Sequence, residues 1–293
     1  MSQKVSIIYV IGAARSGTTL LDIILGNNKE IFSAGELNRF TEYDGLMRNA
    51  RDMHVRKFWQ DVNQDLLSKG FKAPIEYFKM SQQFENHKNF WNILFSKSKS
   101  SSFEKYAAYQ KGLFEAIFKN ANNTQPVKYI IDSSKYPLRG YFLSKIFSKS
   151  ISFIYIKRNP SDVATSFQKK NIEQRPKNLG MAHLYMLFVN SICEYIIRLL
   201  SKNFKTSTIY YERLIFNTVE TLSQIENNLN IDLGIAKDKI KNNEKLAVGY
   251  LFEGNRLRLE EKISFSRTER SSPINVFNKI LMPMHKMIWY RLQ

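Results

Sequence analysis

The sequence predicts a three-layer α/β fold with a central parallel sheet and one helical insertion. Four short apolar runs lack the alternation of a half-exposed strand: Val5–Ile11, Lys128–Ile131, Ile151–Ile156 and Thr206–Tyr210. Runs of this kind are typical of strands that are buried on both faces, as in a parallel sheet. Long stretches with helical periodicity separate these runs, and an alternation of strands and helices favours an open parallel sheet covered by helices.

Seven stretches carry the helical pattern: Thr18–Asn27, Val55–Gly70, Pro74–Phe95, Phe103–Asn120, Pro137–Phe147, Ser161–Lys170 and Asn178–Lys202. No linker rich in proline, glycine or serine divides the chain, so we expect a single domain over residues 1–293. The low-complexity segment Ser96–Ser102 predicts an exposed loop between two helices. Residues 44–122 are helical, rich in aromatic residues and inserted between the first two strong strands. An insertion at the carboxyl edge of a sheet is where a substrate lid would lie.

The chain is strongly basic, and this narrows its partners to three anionic classes. Its 293 residues include 44 Lys+Arg and 26 Asp+Glu, which gives a formal charge of +18. Nucleic acid, a membrane surface or an anionic substrate would each suit this charge. The lysines are scattered singly rather than gathered in a block, and the chain is rich in Lys, Asn and Ile throughout. We therefore expect no specific nucleic-acid partner, although a basic nucleic-acid-binding protein stays an alternative.

Cysteine, histidine and hydropathy exclude several other classes. The single cysteine, Cys193, rules out a disulfide framework, and the scattered positions of the four histidines argue against a zinc enzyme. No stretch approaches the ~20 apolar residues that span a bilayer, and Val5–Ile11 is too short for the core of a signal peptide. We expect a cytoplasmic protein without a metal site or a transmembrane segment.

A loop of small residues follows the first predicted strand, at Gly12–Leu21 (GAARSGTTLL). Such a loop turns successive backbone N–H groups into one concavity, and the next helix adds its positive N-terminal end, so together they predict a phosphate site. The spacing from Gly12 to Gly17 is that of a Walker A loop and predicts a P-loop type of fold, but Thr18 stands where an NTPase has lysine. A kinase using Mg-ATP stays the alternative, because Asp132 would there be a magnesium ligand.

A second strand-to-helix turn offers another phosphate site. Arg158 follows the run Ile151–Ile156, and Pro160 is preset for the first turn of a helix. Arg158 presents a planar guanidinium, and Ser166, eight residues further on, presents a hydroxyl. Two phosphate sites, each after its own buried strand, distinguish a ligand with phosphates at two positions from ATP.

These two segments together resemble the sulfotransferases that use 3′-phosphoadenosine 5′-phosphosulfate (PAPS). The first, R-S-G-T-T-L-L, is similar to the family's 5′-phosphosulfate loop, with Arg15 where cytosolic members often have lysine and Golgi-type and bacterial members have arginine. The second, R-N-P-x-D-V-x-x-S, is similar to the family's 3′-phosphate site. The resemblance implies sulfonate transfer from PAPS without a metal, with PAPS bound by Arg15, Ser16, Gly17, Thr18, Thr19, Arg158 and Ser166.

Other segments extend the resemblance to about Arg258. Asp132–Lys135 (DSSK) resembles a stretch of bacterial and carbohydrate sulfotransferases, which implies that Lys135 reaches the sulfate or the bridging oxygen and joins Arg15 in stabilising the leaving phosphate. The segment Gly254–Arg258 (GNRLR) resembles a loop that closes over the nucleotide. That likeness makes its three polar residues candidates for binding it: Asn255, Arg256 and Arg258. The pair Tyr211–Glu212 matches a further family segment only in part, and we interpret it as structural.

The resemblance also implies a catalytic base. Ser33–Arg39 (SAGELNR) is similar to the segment that carries a catalytic glutamate in tyrosylprotein and several glycan sulfotransferases, which makes Glu36 the candidate. His54 and His87, in the insertion, are weaker candidates. The acceptor would be a molecule with a hydroxyl group, and the likeness to bacterial members favours a carbohydrate or small metabolite. An anionic acceptor, a lipid or a protein tyrosine stays open, and the insertion 44–122 is the predicted acceptor-binding lid.

Overall fold

Five parallel strands form the central sheet of the computed structural model, which describes residues 5–95, 100–168, 178–265, 281 and 283–287. They are β1 (Ser6–Gly12), β2 (Ile31–Ser33), β3 (Tyr129–Lys135), β4 (Ile151–Lys157) and β5 (Thr206–Tyr210). Their order in the sheet is β2-β3-β1-β4-β5, and every neighbouring pair is parallel. The predicted parallel sheet is confirmed. The short strand β2 adds an edge strand to the four runs that the sequence singled out.

The helices follow the strands in the predicted alternation. Those before β3 are α1 (Thr18–Gly26), α2 (Arg39–Glu42), α3 (Met53–Ser68), α4 (Phe78–Glu85), α5 (Phe90–Phe95) and α6 (Ser101–Asn122). Those after it are α7 (Pro137–Ile146), α8 (Pro160–Gln168), α9 (Leu179–Leu200), α10 (Tyr211–Phe216), α11 (Thr218–Leu229) and α12 (Gly234–Lys241). Three 3₁₀ turns, Pro74–Tyr77, His87–Asn89 and Arg256–Leu259, and a small antiparallel pair, β6 (Leu246–Ala247) and β7 (Lys262–Ile263), complete these elements.

The sheet separates two hydrophobic cores, which makes the fold three-layered. Along β1, Ile7 and Tyr9 belong to the core that contains buried residues of α3, α4, α6, α7 and α9. Ile8 and Val10 belong to the opposite core, which contains buried residues of α1, α11 and α12. Successive side chains of a strand point to opposite faces, so a strand covered on both faces must be apolar throughout. This explains why β1 shows no alternation in the sequence.

The predicted helix Pro74–Phe95 is wrong as a single element. The chain forms a 3₁₀ turn, α4, a second 3₁₀ turn and α5, with extended backbone at Asn86 between the two halves (ψ 134°). The Asn86 side chain accepts a hydrogen bond from the Lys88 N–H at 3.0 Å. A local bond of this kind competes with the helical backbone pattern and ends the helix. The predicted loop Ser96–Ser102 lies partly outside the described residues, but Ser100 caps α6, which already includes Ser101 and Ser102.

The helices of segment 44–122 pack into the core that contains Tyr9, which we call the main core. Phe58, Trp59 and Tyr106 belong to the same hydrophobic cluster as Tyr9 of β1. The Trp59 indole also donates to the carbonyl oxygen of Tyr250 at 2.7 Å, which joins α3 to the C-terminal part of the chain. The acceptor-binding role of this segment stays a prediction, and among its described residues Arg48 and Asn49 line the cavity described below.

Helix α9 is long and apolar enough to cross a membrane by length and composition, so the prediction that the chain holds no such stretch is not supported. Half of its most apolar window is buried inside the protein. A core helix of a globular protein meets the same criterion, so this finding is weak evidence for a membrane span.

A buried ionic cluster joins β3 to three helices. Arg139 of α7 is fully buried and its guanidinium contacts the carboxylates of Asp132 and Glu85, at 2.9 and 2.5 Å. It also donates to Gln110 of α6 at 3.1 Å, and the hydroxyl of Tyr106 donates to Glu85 at 2.7 Å. One arginine therefore compensates two carboxylates in a region without solvent, and removing it would leave both charges uncompensated.

We expect Arg139→Ala to lower the free energy of unfolding by about 3–5 kcal/mol, because a buried charge that loses its partner is strongly destabilising. Urea denaturation followed by circular dichroism measures this effect. Arg198→Ala, at an exposed position of α9, is the matched control and should change stability by less than about 0.5 kcal/mol. A loss below about 1 kcal/mol for Arg139→Ala would contradict this interpretation of the cluster.

Candidate functional site

A cavity of about 380 Å³ opens at the carboxyl ends of β1, β3 and β4. Strands lie on both sides of β1, and ligands of open parallel sheets bind at such a switch point. The lining includes eight residues predicted to bind the donor nucleotide: Arg15, Gly17, Thr18, Thr19, Arg158, Ser166, Asn255 and Arg258. It also includes Glu36 and Lys135. Two of the residues predicted to bind the nucleotide lie outside the lining that the structure describes: Ser16, which is buried, and Arg256, which is exposed.

The loop after β1 curls because two of its residues take left-handed backbone conformations. Arg15 has φ 69° and Gly17 has φ 93°. A Cβ atom on Gly17 would lie 2.4 Å from the Tyr211 ring, so only glycine fits between the loop and that ring. Helix α1 begins at Thr18 without a side-chain cap. Its first N–H groups are therefore available to an anion in the cavity.

Arg158 joins the turn that follows β4 to the phosphate loop, where Arg15 lies. The Arg158 guanidinium lies over the Tyr211 ring, 4.1 Å from its centroid, and donates to the backbone oxygen of Arg15 at 2.8 Å. The Nε atoms of both Arg15 and Arg158 are buried and have no hydrogen-bond partner. A buried donor without a partner costs free energy, and an anionic oxygen in the cavity would satisfy it. The residues present thus fit two anionic groups, one beside each arginine.

Tyr211 and Glu212 contact the residues of this site, whereas their partial match to the family predicted a structural role. Glu212 accepts a hydrogen bond from the Asn159 N–H at 2.8 Å and so fixes the turn that follows β4. Tyr211 lines the cavity and supports both Gly17 and Arg158. Two signals in the sequence could have found them: the partial match to a family segment and their position directly after β5, at the same edge of the sheet.

The candidate base and the candidate catalytic lysine form an ion pair. Lys135 donates to Glu36, and both side chains are largely buried, with 14% and 11% of their surface exposed. Lys135 ends β3 in a left-handed conformation (φ 65°), beside an irregularity in the pairing of β1 and β3. The Glu36 N–H donates to the carbonyl oxygen of Glu253 at 3.1 Å. A carboxylate and a cation are therefore paired on the wall of the cavity.

The segment around Gly254 closes one side of the cavity. The Asn255 N–H donates to the Thr19 hydroxyl at 3.2 Å, which attaches this segment to the start of α1. Arg258 is buried, lines the cavity and contacts Glu253 at 3.1 Å. The predicted nucleotide-binding role of this segment stays a prediction, and of its three candidate residues Asn255 and Arg258 line the cavity whereas Arg256 does not.

The remaining candidates lie elsewhere. Asp132, the magnesium ligand of the kinase alternative, is fully buried and accepts from Arg139 and from the Ser134 N–H. Its lone pairs are used inside the fold, so it does not face the cavity. His54 is exposed, and His87 packs against Tyr136 with its pKa lowered to about 4 by burial. Neither histidine belongs to the lining that the structure describes.

Comparisons with known proteins identify the family. A sequence profile of the sulfotransferase family matches residues 7–234. The chain belongs to the sulfotransferase family. A comparison with curated protein sequences found no match.

The sulfotransferase fold is also found in solved structures. The sulfotransferase domain of the Synechococcus PCC 7002 olefin synthase is 16% identical, with a TM-score of 0.52, over 99% of this chain and 96% of that domain. The sulfotransferase domain from the curacin biosynthetic pathway is 17% identical, with a TM-score of 0.52 and full coverage of both chains. A sulfotransferase from Mycobacterium tuberculosis is 13% identical, with a TM-score of 0.50, over 87% of this chain and 76% of that one. At these identities the likeness concerns the fold.

The structure of this sulfotransferase also reveals a residue that the sequence did not single out. Asp22, on α1, is fully buried, and its Oδ2 accepts from the Gly35 N–H at 3.1 Å and from the Ser133 hydroxyl at 2.6 Å. Gly35 precedes Glu36, and Ser133 lies two residues before Lys135. One carboxyl group thus joins the helix behind the phosphate loop to the two segments that carry the Glu36–Lys135 pair.

Burial raises the pKa of the Asp22 carboxyl from 3.8 to about 7, although its hydrogen bonds from Ser133 and Gly35 oppose the shift. Because this pKa is raised on folding, the native protein binds more protons than the unfolded chain between about pH 4 and pH 7. The contribution of Asp22 to stability is therefore fully present at low pH and is lost as the pH rises through this window.

We expect Asp22→Asn to reduce this pH dependence, because asparagine accepts the same hydrogen bonds but does not ionise. Relative to the wild type, the variant should gain about 2 kcal/mol between pH 5 and pH 8, given ~1.4 kcal/mol per pKa unit. Urea denaturation at a series of pH values measures the difference. Asp238→Asn, at an exposed site, should keep the wild-type profile. If Asp22→Asn kept it as well, the raised pKa would be wrong.

Proposed function

We propose that this sulfotransferase takes its sulfonate group from PAPS and transfers it to an acceptor hydroxyl. The observation that carries the proposal is that Arg15 and Arg158 both line one cavity and that each has a buried Nε atom without a hydrogen-bond partner. PAPS carries anionic groups on both its 5′ and its 3′ oxygens, whereas ATP lacks the 3′-phosphate. Two separate cationic positions therefore suit PAPS better than ATP.

The donor would be held by groups from three strand ends. The loop N–H groups, the start of α1 and Arg15 would bind the 5′-phosphosulfate. Arg158 and Ser166 would bind the 3′-phosphate, as the family resemblance implies, and Asn255 and Arg258 would close that side. PAPS supplies the sulfonate and the phosphate leaving group. The protein's own contribution is to hold the sulfur in line with the acceptor and to place cations where charge develops on the leaving oxygen.

Glu36 is the proposed general base and Lys135 the proposed electrostatic partner of the leaving group. In the transfer, the acceptor oxygen forms a bond to sulfur while the bond from sulfur to the bridging oxygen breaks. The acceptor proton passes to Glu36, and the electron pair of the broken bond stays on the product, adenosine 3′,5′-bisphosphate (PAP). Lys135, which pairs with Glu36 in the structure, would turn towards the bridging oxygen and leave the carboxylate for the proton.

Two observations count against the alternative of a kinase that uses Mg-ATP. Thr18 occupies the position of the Walker lysine, and Asp132 is enclosed by Arg139 inside the fold. The alternative of a nucleic-acid-binding protein assigns no role to the cavity or to the pair of Glu36 and Lys135 on its wall. Among acceptors, we propose a carbohydrate or another small polar metabolite.

We expect PAP to bind at least tenfold more tightly than ATP, with or without magnesium, because only PAP can satisfy Arg158. Isothermal titration calorimetry measures both affinities. Arg158→Ala should weaken the binding of PAP by about tenfold or more, as expected for the loss of a charge-assisted contact of about 1.5–3 kcal/mol. The variant should therefore prefer PAP over ATP less strongly than the wild type does. Tighter binding of Mg-ATP than of PAP by the wild type would overturn the proposed donor.

We expect Glu36→Gln to lower turnover by about 10²–10⁴-fold, the usual contribution of a general base, while PAP affinity stays near the wild-type value. Turnover is followed as sulfonate transfer from labelled PAPS to an acceptor found by screening. Glu220→Gln, at an exposed site on α11, is the control. Near-wild-type turnover in Glu36→Gln would show that another group accepts the proton.

A further inference from the structure

The wall of the cavity beyond Glu36 is polar and basic. It consists of Arg39, Tyr43, Arg48 and Asn49, from α2 and the loop that follows it. Helix α2 begins three residues after Glu36, so this wall adjoins the proposed base and lies apart, in the chain, from the segments proposed to hold the nucleotide. It is the part of the cavity that remains for an acceptor, an assignment that rests on the proposed function.

The charges that line the cavity do not balance. Within the described part of the chain, the charged residues of the lining are six cations and two carboxylates. Three of these cations have an acidic partner: Lys135 with Glu36, Arg258 with Glu253, and Arg39 with Glu42. Arg15 and Arg158 are accounted for by the two anionic ends of the proposed donor. Arg48 then remains as a cation that neither the donor nor a carboxylate of the described residues compensates.

Arg48 is presented in a defined position. Its guanidinium carbon lies 3.9 Å from the centroid of the Tyr43 ring, a cation–π geometry that leaves the N–H groups at the edge of the guanidinium free of the ring. The neighbouring Met47 packs against the main core. The guanidinium of Arg48 is therefore a planar cationic hydrogen-bond donor, and one of its faces is covered by the ring of Tyr43.

The loop that carries Arg48 is fastened at both ends. At its start, Asp44 accepts from the Ile75 N–H at 2.9 Å, and the Gly45 N–H donates to the Phe40 oxygen at 2.8 Å. At its end, Arg51 contacts Asp52 at 2.7 Å and donates to the Glu260 oxygen at 3.2 Å. A fastened loop loses less entropy when a ligand binds, so Arg48 is suited to specific recognition.

We propose that the acceptor carries an oxyanion group, a phosphate or a carboxylate, in addition to the hydroxyl that receives the sulfonate, and that Arg48 binds this group. A guanidinium matches either oxyanion with two parallel N–H donors. The acceptor class is thereby narrowed to anionic polar metabolites such as sugar phosphates or sugar acids. Arg48 acts on specificity and takes no part in the proton transfer.

The test compares three ligands with the same ring and a different group at one carbon: glucose, glucose 6-phosphate and glucuronate. Each is titrated by calorimetry into the protein saturated with PAP, which occupies the two donor phosphate positions. We expect at least one of the two anions to bind about tenfold more tightly than glucose, and the two anionic arms distinguish phosphate from carboxylate. Arg48→Gln should abolish that preference without changing PAP affinity.

Arg56→Gln, at an exposed position of α3 outside the cavity lining, is the matched control for a lost surface charge and should keep the preference. The proposal is overturned if neither anion binds more tightly than glucose, which includes the case of no detectable binding, or if the preference survives in Arg48→Gln. The PAP titration that precedes each measurement reports separately on the donor. A protein that fails to bind PAP contradicts the proposed function, while the ratio between the wild type and Arg48→Gln still decides the role of Arg48.

Discussion

The geometry of the cavity depends on one buried carboxyl group. Asp22 lies behind the phosphate loop and accepts hydrogen bonds from Gly35 and Ser133, the neighbours of Glu36 and of Lys135. These residues come from three separate parts of the chain: Asp22 from α1, Gly35 from the turn after β2 and Ser133 from β3. A hydrogen bond to a charged or partly charged group in a region of low dielectric is strong and directional. Glu36, Lys135 and the phosphate loop are therefore held in fixed relative positions through this group.

Two kinds of buried charge occur in this protein, and they serve opposite purposes. The cluster of Arg139, Asp132 and Glu85 is sealed within the fold, where each charge is satisfied by the others. The arginines of the cavity, Arg15 and Arg158, keep buried nitrogen atoms without partners. Folding leaves these donors unsatisfied because their positions are set by backbone and ring contacts. The free energy that is not recovered in the fold is available to a ligand with anionic oxygens.

The excess of positive charge is only partly explained by the site. The chain has 44 Lys+Arg residues, and among the residues that the structure describes six of them line the cavity, of which three have acidic partners. The cavity nevertheless concentrates cations relative to carboxylates, and a cleft lined by one sign of charge attracts ligands of the opposite sign. The donor and the proposed oxyanion of the acceptor both fit this field. The scattered surface lysines add a weaker, salt-sensitive attraction.

The sequence by itself determined the α/β class, the four main strands and the placement of Arg15 and Arg158 at strand ends. These features are local, because a strand buried on both faces must be apolar throughout and a phosphate loop must follow it directly. The break in the helix predicted over Pro74–Phe95 was not visible, because a single side-chain bond at Asn86 outweighed a good helical pattern. Asp22, Tyr211 and Arg48 could not be assigned either. Their roles arise from contacts with residues distant in the chain or from a cavity that several segments enclose, and only the tertiary structure decides which side chains meet there.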